Sequence, residues 1–266
     1  MSGDVPLADD AATYMLDNVW ENAHQRLTLL EAVYDPATTG RLAQLGVGPG
    51  WRCLELGAGA GSIARWLCDR VGADGRVVAV DLEPRFLAAD PRPNLDVVRC
   101  DIVADGIPGD SYDLIHTRAL LVHLPQRDEL LPALVLRLRP GGIILLEEGD
   151  AYPIATASSP IYTELWDRAF AAMAKGGADA TWGRHLPARL AAAGAVDVAA
   201  AGDVQMFTGG SPYARFAILT MSQLTPMLVA DGMSPERIAE GIAELSDPSR
   251  WFPGAASIAA WGHRPE

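Results

Sequence analysis

Residues 54–62 read LELGAGAGS, three glycines within five positions directly after a short apolar run. Gly57, Gly59 and Gly61 permit positive φ and carry no side chain to obstruct a ligand. The run before them reads as a strand and the run after them, SIARWLCDRV (62–71), as a helix. In open parallel sheets, ligands bind where such a loop leaves the carboxyl end of a strand. The helix N-terminus beyond it offers N–H groups to partial negative charge.

Outward from the loop the pattern alternates. RCLEL (52–56), VVAVD (77–81), LDVVRCD (95–101), YDLIHT (112–117) and IILLEE (143–148) read as strands. Helices are expected at 62–71, 84–89 and 127–138 between them. Short apolar strands separated by helices imply a parallel sheet buried on both faces, hence an α/β doubly wound fold. Upstream, residues 11–34 carry helical periodicity, and Asp35 with Pro36 fits the start of a second short helix reaching Leu45. Downstream, helices are expected near 160–174, 185–193, 212–230 and 235–246, with strands at 195–207 and 256–262. The late runs are expected to complete one domain of residues 1–266 rather than build a core alone. Its parts are an N-terminal helical cap (1–45), a cofactor-binding core (50–148), sheet and lid helices (151–250) and a last strand (256–262).

The formal net charge is −13, from 21 basic and 34 acidic residues, and Lys175 is the single lysine. Phosphate backbones and anionic membranes require concentrated positive charge, so neither partner is expected. Cys53, Cys68 and Cys100 lack metal-ligand spacing, which predicts small buried residues, no metal and a reducing compartment. No secretory leader or membrane span is expected, so the chain reads as cytoplasmic. A homodimer is left open.

A dinucleotide fingerprint fits loosely onto Gly59, Gly61 and Ala64, with Asp81 at the distance expected of a ribose ligand. That would make the chain an NAD(P)-dependent oxidoreductase. Glu55 argues otherwise, because a carboxylate two residues before the first glycine repels a pyrophosphate. Asp101 adds a second acid at the end of the third strand. Three carboxylates around one site suit a ligand with a positive centre and several donors. Together, LELGAGAG, VVAVD, RCDI, YDLIHTR and LRPGGIILLEE, in this order, resemble the motifs of the class I S-adenosylmethionine-dependent methyltransferases.

The resemblance implies a Rossmann-like seven-stranded sheet with an antiparallel last strand. It implies that Asp81 accepts the ribose hydroxyls and that Leu82 lies against the adenine. Asp101 and the Ile102 N–H would face the adenine edge. The backbones of Gly57 and His116 would hold the methionine ammonium, with Ala58, Gly59 and Gly61 completing the loop, Glu55 organising it and Arg26 beside it. The reaction would be methyl transfer to a small organic acceptor, with secondary or cofactor metabolism as the setting. A protein that binds the donor without transferring methyl, or a cyclase, stays open beside it. His116 and His123 are the candidate bases, and a base is optional when alignment supplies much of the barrier reduction. Arg118 pairs with an N-terminal acid or faces an anionic acceptor. Tyr14, Trp20, Trp166 and Phe170 are expected to line the acceptor pocket.

Overall fold

The computed structural model describes residues 16, 18–89 and 91–266. Seven strands form one sheet: β1 (Arg52–Leu56), β2 (Arg76–Asp81), β3 (Leu95–Arg99), β4 (Tyr112–Arg118), β5 (Leu138–Asp150), β6 (Val196–Thr208) and β7 (Trp251–His263). Their order is β3-β2-β1-β4-β5-β7-β6. The pairs from β3 through β5 are parallel, and β7 runs antiparallel to both β5 and β6. The doubly wound sheet with its antiparallel last strand is as expected.

Strand alternation sorts the side chains onto two faces. On one, Cys53, Ala79, Leu114 and Leu145 meet Leu42 of α1 (Ala23–Gln44) and Ile63, Ala64 and Leu67 of α2 (Ser62–Val71). On the other, Leu54, Ile115, Ile144 and Leu146 meet α3 (Arg127–Arg137) and α5 (Leu186–Ala192) through Leu131, Leu134, Leu186 and Leu190. Each such leucine or isoleucine contributes roughly 1.5–3 kcal/mol by leaving water.

A third apolar cluster gathers the late helices α4 (Pro160–Lys175), α6 (Pro212–Ala230) and α7 (Pro235–Ser246) around Tyr162, Leu165, Met221, Leu224 and Leu245, with Val33 and Tyr34 of α1 packed against it. Phe207 and Phe252, from the edge strands, complete it. All three helices start alike. Ser159, Ser211 and Ser234 each accept a backbone N–H three residues on, with proline at the first helical position.

The break expected at Asp35–Pro36 is absent, for α1 runs through Pro36. Proline removes one intrahelical hydrogen bond there, but polar contacts fasten the helix to the sheet on both sides of it. Asp35 meets Arg118, while Thr38 and Arg41 meet Glu147. The helix expected at 84–89 shortens to a 3₁₀ turn, Pro84–Phe86. Of the early periodic stretch, the described part before Ala23 is turn. β5 starts at Leu138, five residues earlier than expected, because Leu138 already pairs with Tyr112.

Candidate active site

The glycine loop leaves β1 with Gly57, Gly59 and Gly61 at φ +69°, +57° and +92°. A Cβ on Gly57 would stand 3.2 Å from Leu120, and one on Gly61 3.0 Å from Leu87. The loop is shaped by its neighbour at the end of β2. Asp81 accepts the Gly59 N–H at 2.8 Å and the Glu83 N–H at 3.0 Å. Burial pushes the Asp81 carboxyl up, and these N–H groups pull it back down. Two residues beyond β3, Asp101 accepts the N–H of Val103 at 2.9 Å, and Ile102 beside it is nearly buried. The first N–H of α2 is taken, contrary to expectation: Ser62 donates to Glu31 of α1 at 3.0 Å.

Under the loop lies a row of buried charge. Register sets Glu55 beside His116 and Arg118 beside Glu147, all on the face covered by α1. His116 Nδ1 donates to Glu55 at 2.6 Å and Nε2 to Glu147 at 3.2 Å. Burial alone would lower the imidazole, but the two carboxylates outweigh it and hold it up at about 9. Glu147 is in turn held down to about 2: burial raises it, while His116, Thr38 and Arg41 more than compensate. Thr38 donates to Glu147 at 2.5 Å and accepts from Arg118 at 3.0 Å. Arg118 also donates to Asp35 at 2.9 Å, and Arg41 bridges Glu147 to Asp203.

The opposite face carries Glu148. Its carboxylate collects the N–H groups of Leu120, Leu121 and Val122 at 3.3, 2.8 and 3.3 Å. Burial raises it to about 7, against the lowering by those donors. The turn so held presents His123. Burial lowers that imidazole to about 4, with the Arg26 and Arg127 cations adding to the effect, so it is neutral at pH 7.

Loop, acids and turn open on one cavity of about 730 Å³. One half is walled by Gly57, Ala58, Gly59, Asp81, Leu82, Asp101 and Ile102. The other is walled by Leu16 and by side chains of α1, α4 and α6, among them Tyr34, Trp166, Phe170, Met173, Tyr213 and Phe216. Asp150 and the Arg118–Glu147 region lie on its wall, and Asp150 is held by Arg184 at 2.6 and 2.7 Å.

Residues 54–144 match the family model for a methyltransferase domain. The match covers the glycine loop and the strands β1 to β4, so this part of the chain is similar to methyltransferase domains. Methyltransferase str3 of Strobilurus tenacellus is 32% identical over 41% of this chain and 39% of its own length. A ubiquinone/menaquinone biosynthesis C-methyltransferase of Laribacter hongkongensis is 28% identical over 46% of this chain and 51% of its own. The chain thus spans about half or less of these relatives. Among solved structures, a putative methyltransferase of Bacillus halodurans superposes with a TM-score of 0.58 at 15% identity, covering 85% of this chain and 98% of that one.

Most residues singled out in the sequence meet at the cavity. Glu55, Arg26, Arg118, His123, Trp166 and Phe170 line it together with the loop and strand-end acids. Arg118 pairs with an acid of the N-terminal helix, Asp35. Two expectations change. His116 is fully buried with both ring nitrogens on carboxylates, so it stands as a fixed cation beneath the loop and not as a base. Trp20 and Gly61 do not form part of the wall. Tyr14 lies outside the described residues. Sequence reasoning passed over Glu31, Tyr34, Thr38, Arg41 and Glu147. The signal was a stripe at helical spacing along 31, 34/35, 38 and 41, facing paired acids at the end of β5. Among the described residues, no group of three or more His, Cys, Asp or Glu could hold a metal, and no helix is long and apolar enough to cross a membrane.

Proposed function

We propose that this chain transfers a methyl group from S-adenosylmethionine to a small organic acceptor by in-line displacement. The observation that carries the reading is the pair Asp81 and Asp101 at successive strand ends, opening with the glycine loop on the cavity. The residues fit the donor. Asp81 is a partly desolvated carboxylate on the cavity wall, bonded to the Gly59 N–H of the loop, the environment for a ribose diol. Asp101 and Ile102 supply an acceptor and an apolar edge for an adenine, with the half-exposed Leu82 on the same cavity wall. The Gly57 backbone would meet the cationic methionine chain, with Glu55 held beneath the loop by His116, and the acids Asp81 and Asp101 disfavour a pyrophosphate.

When bound, S-adenosylmethionine supplies an electrophilic methyl on a positive sulfur. The chain contributes alignment and exclusion of water, which are worth roughly 7–11 kcal/mol in favourable cases. Apolar walls of α4 and α6 close the acceptor half. His123 also lines the cavity. Held down to about 4 it is a weak base, so alignment rather than proton removal carries the transfer. An acceptor from secondary metabolism, in the cytoplasm, fits the acidic surface and the apolar half-cavity. Incubation with S-adenosylmethionine and an acceptor library, read by mass spectrometry, tests this: S-adenosylhomocysteine with a product 14 Da heavier (about one methylene) is the expected result. Donor bound but never consumed across the library would contradict it.

A further inference from the structure

The half of the cavity beyond the methyl-donor loop has its own chemistry, and it narrows the acceptor. Trp166 and Phe170, one turn apart on α4, stack with centroids 5.1 Å apart and planes 28° from parallel, and both face the cavity. Tyr34 of α1 and Tyr213 of α6 also line it, with hydroxyl oxygens 2.9 Å apart. Tyr213 Oη accepts the Ala255 N–H at 3.1 Å. Two phenolic protons serve a single mutual hydrogen bond, so whichever tyrosine donates, the pair keeps one O–H free to donate. Burial raises both phenols above their usual range, Tyr34 further by its neighbour Tyr213, so that proton is present at any physiological pH.

The charges reaching this half are already engaged. Arg118 holds Asp35 and Thr38, Glu147 holds Arg41 and His116, and Asp150 holds Arg184. Arg26, nearly buried, donates to the Leu16 carbonyl at 3.0 Å. A charged acceptor would have to break such pairs or leave water without gaining a partner. A flat ring, by contrast, gains offset stacking and apolar burial.

Resting on the methyltransferase reading, we propose that the acceptor is an uncharged, flat-ringed molecule bearing an oxygen acceptor atom. Its ring lies on the Trp166–Phe170 wall and its oxygen takes the free O–H of the Tyr34–Tyr213 pair. Phe170 and Trp166 act as specificity-determining residues through ring area, and the tyrosines through the hydrogen bond.

The experiment is equilibrium binding of three probes of one ring size to the full chain saturated with S-adenosylhomocysteine: 2-naphthol, naphthalene and 2-naphthoate. Wild type is expected to bind 2-naphthol about fivefold to tenfold more tightly than naphthalene, the range of one hydrogen bond, and 2-naphthoate least. The double variant Tyr34→Phe/Tyr213→Phe should lose that preference and keep its naphthalene affinity. Trp166→Leu should weaken 2-naphthol and naphthalene alike. Tightest binding of 2-naphthoate would overturn the proposal in favour of an anionic acceptor held by Arg26. A preference for 2-naphthol that survives the double variant, or no binding of any probe, would overturn it too. S-adenosylhomocysteine is titrated first on each preparation. Its failure to bind wild type brings down the methyltransferase reading and this proposal together. Its binding with the wrong probe order brings down the proposal alone, and retained binding by the variants shows that they are folded.

Discussion

At the scale of single residues, the decisive feature is an imidazole fixed between two carboxylates. His116 is held at about 9 against an ordinary 6.5, so the folded state binds its proton more tightly than the unfolded one. The contribution is fully present below pH 6.5 and is lost as pH rises through 9. Stability by denaturant titration should therefore fall by up to about 3 kcal/mol between pH 6.5 and 9, and His116→Gln should flatten that slope. An unchanged slope in the variant would remove His116 from the network. Gly61 offers a second test. Its φ of +92° and the 3.0 Å approach to Leu87 predict that Gly61→Val is destabilised by about 1–3 kcal/mol, measured by urea unfolding. The sequence made Glu55 and His116 visible, but as separate ligands of a cofactor. Their contact depends on β1–β4 register, which no local pattern encodes.

Among the elements, α1 does more than cap the sheet. Its Glu31 takes the first N–H of α2, and its Asp35, Thr38 and Arg41 fasten it to β4, β5 and β6. Glu31→Ala should cost about 1 kcal/mol, the value of a lost helix cap, and hydrogen exchange should quicken at the start of α2 and not at its end. Glu148 organises the turn that carries His123 in the same way. Glu148→Ala strands three N–H groups, two of them in a half-buried turn, and should cost about 2–4 kcal/mol, with faster exchange at Leu121. The strands and the helices α2 to α7 were legible because each obeys a local rule: an apolar run, a glycine stop or a Ser-Pro start. The continuity of α1 was not legible. Pro36 is a local stop signal, and tertiary ion pairs to the sheet override it. The stripe of Glu31, Asp35, Thr38 and Arg41 on α1 is polar, so no apolar periodicity marks it as a face turned to the sheet.

For the whole molecule, the sheet places one cavity between a polar half made by strand ends and an apolar half made by late helices. The polar half was readable from five motifs in order, since each is one short contiguous stretch, a strand or the turn at its end. The apolar half joins Tyr34 to Tyr213 across 179 positions, and only folding brings them together. The central claim is that the polar half holds a sulfonium nucleoside and no pyrophosphate. Isothermal titration calorimetry with S-adenosylhomocysteine, on wild type and Asp81→Ala, tests it most directly. The account predicts one site in the wild type, an affinity loss of about 1–3 kcal/mol in the variant, and no displacement by NADH or NADPH. Binding of either dinucleotide with no heat from S-adenosylhomocysteine would contradict it.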